Sequence, residues 1–201
     1  MKFSLKHSMK WSIFISIVTF LLACIFSVIS TTVLSGVGFG VGVIIVLLLI
    51  LIGIVFDMMG LAAAAASEKP FHAMAAERVR GSRQGIYIIR NADRFSNICN
   101  DVIGDMTGVI SGAASALVVG NLLLSMNQGN EMFRMVTSVV FAGLVSALTV
   151  GGKAVGKSFA IHYSTAIVLS IGKFFDLLER RLHIRIFTKK KSKPNNGKRG
   201  K

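Results

Sequence analysis

The chain has 201 residues, 53% of them hydrophobic and only 16% charged, with a mean hydropathy of +0.67. These values exclude an ordinary water-soluble domain and point to an all-α polytopic membrane protein built as one membrane domain. The net charge of +14 does not mark a nucleic-acid binder, because the basic residues gather at Lys2, Lys6 and Lys10, between residues 69 and 94, and after Lys173, leaving the apolar runs nearly bare.

In chain order, the first apolar run is Trp11–Thr32. Its basic flank resembles that of a signal peptide, but the run is long enough to span a bilayer, and another apolar run follows at once. Residues 1–36 therefore read as a basic N-terminus and a retained transmembrane helix. After a short turn at Val33–Gly36 comes a second span, about 37–66. Gly36, Gly38, Gly40 and Gly42 mark its entrance, Val43–Phe56 is almost purely aliphatic, and Asp57 and the alanine tract Ala62–Ala66 mark its exit.

The polar stretch Glu68–Arg94 carries six basic and three acidic residues, with Pro70 near its start, where a helix tolerates proline. Met74, Val79, Ile86 and Ile89 recur at helical spacing, so residues 68–94 read as an amphipathic helix or helix pair lying on the membrane surface. A third span is expected at about 96–124, a polar turn at Ser125–Glu131, and a fourth span at about 132–152. That last span runs into Gly151–Lys157, a flexible basic hinge. His162, Tyr163, Lys173 and Asp176 interrupt the apolar stretch that follows, which favours a second belt helix at about 158–185 over a fifth span. The tail, residues 189–201, is polybasic and reads as disordered; it suits anionic lipid or serves as a solvated anchor.

The two short turns carry no lysine or arginine, whereas both termini and the middle segment are basic. Four spans with both termini in the cytoplasm of a multi-pass inner-membrane protein satisfy every loop at once. Cys24 and Cys99 lie far apart in or beside apolar segments and imply neither a disulfide nor a metal framework.

The stretch Asn100–Gly120 stands out. Gly104, Gly108, Gly112, Ala116 and Gly120 recur every four residues and predict a smooth helix-packing stripe. Asp101 and Asp105 sit one turn apart on the same helix, where like charges repel unless a cation lies between them. With Asp57 and Asn100 they form the predicted metal ligands, and Asn97, Thr107, Ser111 and Ser115 add further oxygen atoms suited to a hard cation or to gluing helices together. Lys153 and Lys157, also one turn apart, are the charge partners in the competing reading: permanent Asp–Lys pairs with no ion site. No phosphate loop, nucleophile elbow or metalloprotease motif occurs, so an enzyme is not expected.

Three segments carry a family resemblance: FDMMGLAAAAASE at Phe56–Glu68, IIRNADRFSNICNDVIGDMTGVISGAASAL at Ile88–Leu117 and VGGKAVGKSFA at Val150–Ala160. In order and spacing they resemble the transmembrane domain of the cyclin M/CorC (CNNM) magnesium transporters, with residues 37–188 corresponding to that domain. The resemblance implies a homodimer of three-span units with a belt of juxtamembrane helices, and transport of a divalent cation, most simply Mg²⁺, with Na⁺ as a coupling ion. By position, the family's site serine falls on Asp57 and a neighbouring glutamate on Gly60, while its asparagine falls on Asn100–Asp101 or on Asp105. The hinge glutamate is replaced by Lys153 and the proline by Gly156; the hinge lysine is kept as Lys157. The lysine at position 153 would repel a divalent cation, which the added aspartates could offset. The CBS-pair and CorC-type domains usually fused behind this domain have no counterpart in these residues, so nucleotide regulation through them is not expected.

Overall fold

The computed structural model describes residues 5–125 and 131–182. Those residues form α1 (Leu5–Ser35), α2 (Phe39–Ala65), α3 (Glu68–Ala76), α4 (Ser82–Arg90), α5 (Ala92–Asn97), α6 (Asp105–Ser125), α7 (Glu131–His162) and α8 (Ser164–Leu182), with a π-helical segment, Ile98–Gly104, joining α5 to α6. Four stretches are long and apolar enough to cross a membrane: Ser12–Leu34, Phe39–Ala65, Ala92–Leu124 and Glu131–His162. Large side chains such as Phe20, Val28, Val139 and Val155 stay exposed along α1 and α7. A water-soluble monomer rarely leaves so continuous an apolar surface uncovered; lipid is the solvent it fits.

The two central helices, α2 and α6, run antiparallel and pack through glycine. A Cβ at Gly42 would come 2.6 Å from Val118, and one at Gly53 would come 2.5 Å from Thr107 Oγ1. One at Gly60 would overlap Asn100 Oδ1. Side chains of α6 and the π segment thus enter gaps that glycine leaves on α2, which is how membrane helices gain close van der Waals contact. Leu34, Val46, Ile50, Ala114 and Val118 form the core at this level. Alongside, α7 runs parallel to α2, with Gly152 against Ile54 and Gly156 against Met58.

A second core gathers at the C-terminal ends of α2 and α7. Ala62 and Ala63 at the end of α2 join Phe71, Ile88, Ala160, Val168 and Ile171 from α3, α4, α7 and α8. Phe71 is fully buried because Gly85 opposite has no Cβ to collide with its ring; burying such a ring contributes about 1.5–3 kcal/mol. Gly81, with φ +81°, takes a left-handed turn that L-residues avoid, and it abuts Gly172 backbone to backbone. Glycine on both sides lets α4 cross α8 closely.

Several expected boundaries shift. The turn placed at Val33–Gly36 begins later, since α1 continues to Ser35 and α2 starts at Phe39. Of the helix or helix pair expected at 68–94, the structure has the pair, α3 and α4, followed by the start of α5. The hinge expected at Gly151–Lys157 is instead continuous helix: α7 runs through 152 and past the predicted end of the fourth span to His162. Gly152 and Gly156 serve contact with α2, and that packing outweighs their poor helix propensity. The break falls at Tyr163, so the helix expected from residue 158 begins at Ser164. Pro70 sits in the first turn of α3, where its missing N–H has no intrahelical partner to lose, and the chain turns at Ala66–Ser67 in extended conformation. The polar turn at 126–130 and the tail at 189–201 lie outside the described residues.

Candidate cation site

Asp57 sits on the glycine face of α2, one turn from both Gly53 and Gly60, and this face is pressed against the π segment. The Asp57 Cβ lies opposite Gly104, whose own added Cβ would be 3.8 Å from it. The residue is 4% exposed, and among the described residues its Oδ2 has no hydrogen-bond donor. The ammonium of Lys157 from α7 stands 3.7 Å from that oxygen, on a side chain that is itself 54% exposed. This is an ion pair at long range rather than a hydrogen bond.

Asn100 reaches the same interface from the other helix. Its amide nitrogen donates to Ser96 Oγ at 3.1 Å, and its Oδ1 lies over Gly60, buried and without a donor. The π turn holds it there. Within this segment the Asp105 N–H bonds back to the Asn100 carbonyl, a wider loop than the α-helical one, which changes the facing of side chains on either side.

The two other aspartates point elsewhere. Asp101 and Asp105 are exposed, away from Asp57. Lys153 donates to Asp105 Oδ1 at 2.9 Å and to the Gly104 carbonyl at 3.2 Å, with its side chain 18% exposed. The predicted four-ligand set is thus divided: Asp57 and Asn100 are both placed at the interface of α2 with the π segment, whereas Asp101 and Asp105 are exposed. Among the described residues no three His, Cys, Asp or Glu side chains gather in a way that could hold a metal. Thr107, Ser111 and Ser115, expected as further oxygen donors, spend their hydroxyl hydrogens on their own helix, at Ile103, Gly108 and Gly112 carbonyls respectively. They act as compact, satisfied residues at the α2 contact.

Most of the predicted packing stripe makes no close contact among the described residues of this chain. Of its members only Gly104 is buried against α2. A Cβ at Gly108, Gly112 or Gly120 would meet nothing within 4 Å, and Ala116 is exposed. The contact face of α6 is the neighbouring line Thr107, Ser111, Ala114, Ser115 and Val118. The small residues that matter are on α2. Gly42, Gly53 and Gly60 were recognisable by their spacing of about three and two helical turns.

Comparison with known proteins identifies no relative: no family model, curated protein or solved structure matches the chain.

Proposed function

We propose that this chain is a membrane protein that moves a divalent cation, most simply Mg²⁺, using Asp57 and Asn100 as oxygen donors from facing helices. The observation that carries the reading is that Asp57 Oδ2 and Asn100 Oδ1 are both buried without a hydrogen-bond donor at one interface. An unsatisfied buried acceptor costs about 1–3 kcal/mol, and a carboxylate within a span is more costly still. A hard cation would satisfy both. Mg²⁺ keeps several of its waters and takes only one or two protein carboxylates, so a single aspartate with one amide oxygen is a sufficient protein contribution. The added aspartates at 101 and 105 have no part in it. The reading also takes the belt helices as lying on the cytoplasmic face of the inner membrane, the termini on that side, Na⁺ as the coupling ion, a homodimer as the working unit, and anionic lipid as the partner of the basic tail.

A second reading has its own support. Lys153 ties α7 to the π segment through two hydrogen bonds, and Lys157 pairs with Asp57, as a non-transporting assembly or regulatory module with fixed Asp–Lys pairs would require. Flux separates the two. In proteoliposomes containing a Mg²⁺ indicator, the wild-type protein is expected to admit Mg²⁺, Asp57→Asn to abolish the flux, and Asp101→Asn and Asp105→Asn to retain most of it. Folded wild-type protein that moves no more Mg²⁺ than empty liposomes rejects transport and leaves the assembly module.

A further inference from the structure

The two lysines of α7 are one turn apart and face two aspartates, yet their attachments differ. Lys153 is mostly buried and makes two hydrogen bonds, at 2.9 and 3.2 Å. Lys157 makes none to Asp57. Its ammonium waits 3.7 Å from a buried carboxylate oxygen, and more than half of its side chain is exposed. Withdrawing Lys153 would break two hydrogen bonds, to Asp105 and to the Gly104 carbonyl; withdrawing Lys157 breaks no hydrogen bond to Asp57 and returns a strongly hydrated head group to its preferred surroundings. The carboxylate it would leave cannot remain unpaired in a buried site.

From this contrast we infer that Lys157 is a tethered cation that occupies the charge position of the ion at Asp57 and competes with it. The inference rests on the cation reading above and adds its regulation. An empty site is held neutral by the lysine, and an arriving divalent ion displaces it. The site therefore never presents a bare buried carboxylate, and its affinity for the ion is lowered by the competition. A lysine held by hydrogen bonds, like Lys153, could not act in this way, because displacing it would cost those bonds.

The test uses the full chain and Mg²⁺ itself as the probe. In proteoliposome flux, Lys157→Met should lower the half-saturating Mg²⁺ concentration by about tenfold or more, since the ammonium that competes for the Asp57 carboxylate is removed. Lys157→Arg, which keeps the charge, should remain near wild type. In detergent, Lys157→Met should unfold at a lower temperature than wild type without Mg²⁺ and recover as Mg²⁺ is added. Lys157→Gln provides the same comparison if the methionine variant does not fold. If Asp57→Asn abolishes flux but Lys157→Met keeps the wild-type half-saturation, or is destabilised equally at every Mg²⁺ concentration, the lysine is only structural and the inference fails while the site stands. If neither wild type nor Lys157→Met responds to Mg²⁺ in either measurement, the cation site itself fails and takes the inference with it.

Discussion

Gly53 and Gly112 are the same residue on two central helices, yet only one is required. A Cβ at Gly53 would sit 2.5 Å from Thr107 Oγ1, the hydroxyl that donates toward Ile103 and Gly104 carbonyls. Either the hydroxyl gives up that arrangement or α2 and α6 move apart. Gly53→Ala should therefore cost about 1–3 kcal/mol, the usual range for overpacking. Gly112→Ala meets open space and should stabilise the isolated chain by about 0.5–1 kcal/mol through helix propensity. Thermal unfolding of both variants in detergent, followed by circular dichroism, checks the opposite signs. The same pair explains what the sequence could reveal of the site. Asp57 was legible as an acid ending an aliphatic run, and Lys153 and Lys157 as its possible neutralisers. The facing of α6 was not legible, because two lines of small residues lie side by side on it, Gly108–Gly112–Ala116 and Thr107–Ser111–Ser115. Only one helix of a close pair has to be smooth. Here α2 supplies the glycines, and α6 can present hydroxyls and Val118 instead.

Among the elements, α3 and α4 are joined by one carboxylate as well as by the packing of Phe71 on Gly85. Glu68 accepts from Arg90 Nε at 2.6 Å and lies 2.9 Å from His72 Nε2. Desolvation pushes its carboxyl up, but the hydrogen bonds and charges of Arg90 and His72 outweigh it and hold the pKa below the ordinary 4.5. A carboxyl whose folded pKa is depressed stabilises fully above its unfolded value, and that contribution is lost as pH falls through the lower folded value. Hydrogen exchange across residues 68–90 should therefore be independent of this group above pH 4.5 and accelerate below it, beyond the intrinsic pH dependence of exchange. In Glu68→Gln that acid-side acceleration should be missing, because no proton is taken up there. This joint was only partly legible. The amphipathic spacing of Met74, Val79, Ile86 and Ile89 predicted helix, but the division at Arg78–Gly81 depends on Gly81 meeting Gly172, a contact between residues distant in sequence. The continuity of α7 through Gly151–Gly156 was hidden for the same reason: local propensity argues for a hinge, and the contacts with Ile54 and Met58 that overrule it come from another helix.

For the whole molecule, the arrangement of helices sets the topology once one end is fixed. α1 and α2 are joined by a turn of three residues, Gly36–Gly38, too short to cross back over a bilayer, so α2 must return to the side where α1 began. The helices α3 and α4 follow at that end, packed with Ala160 of α7 and Val168 of α8 in a single core. The ends of α2 and α7 therefore lie together, and α6 runs the other way between them. If the four long helices span, residues 5–10, 68–90 and 164–182 share one side, and Gly36 lies on the other. In the topology proposed above, the first group, which carries the basic residues, faces the cytoplasm. The native thiols, Cys24 and Cys99, lie within candidate spans, so replacing them by serine gives a blank for membrane-impermeant thiol reagents. Single cysteines at Ser4, Arg80 or Ser192 should then label in inverted inner-membrane vesicles and not in intact spheroplasts, whereas one at Gly36 or Asn127 should label in the reverse pattern. Labelling of the Gly36 and Arg80 cysteines from the same side would mean that α2 does not cross. That result would remove Asp57 from the membrane and with it the reason to expect a cation there.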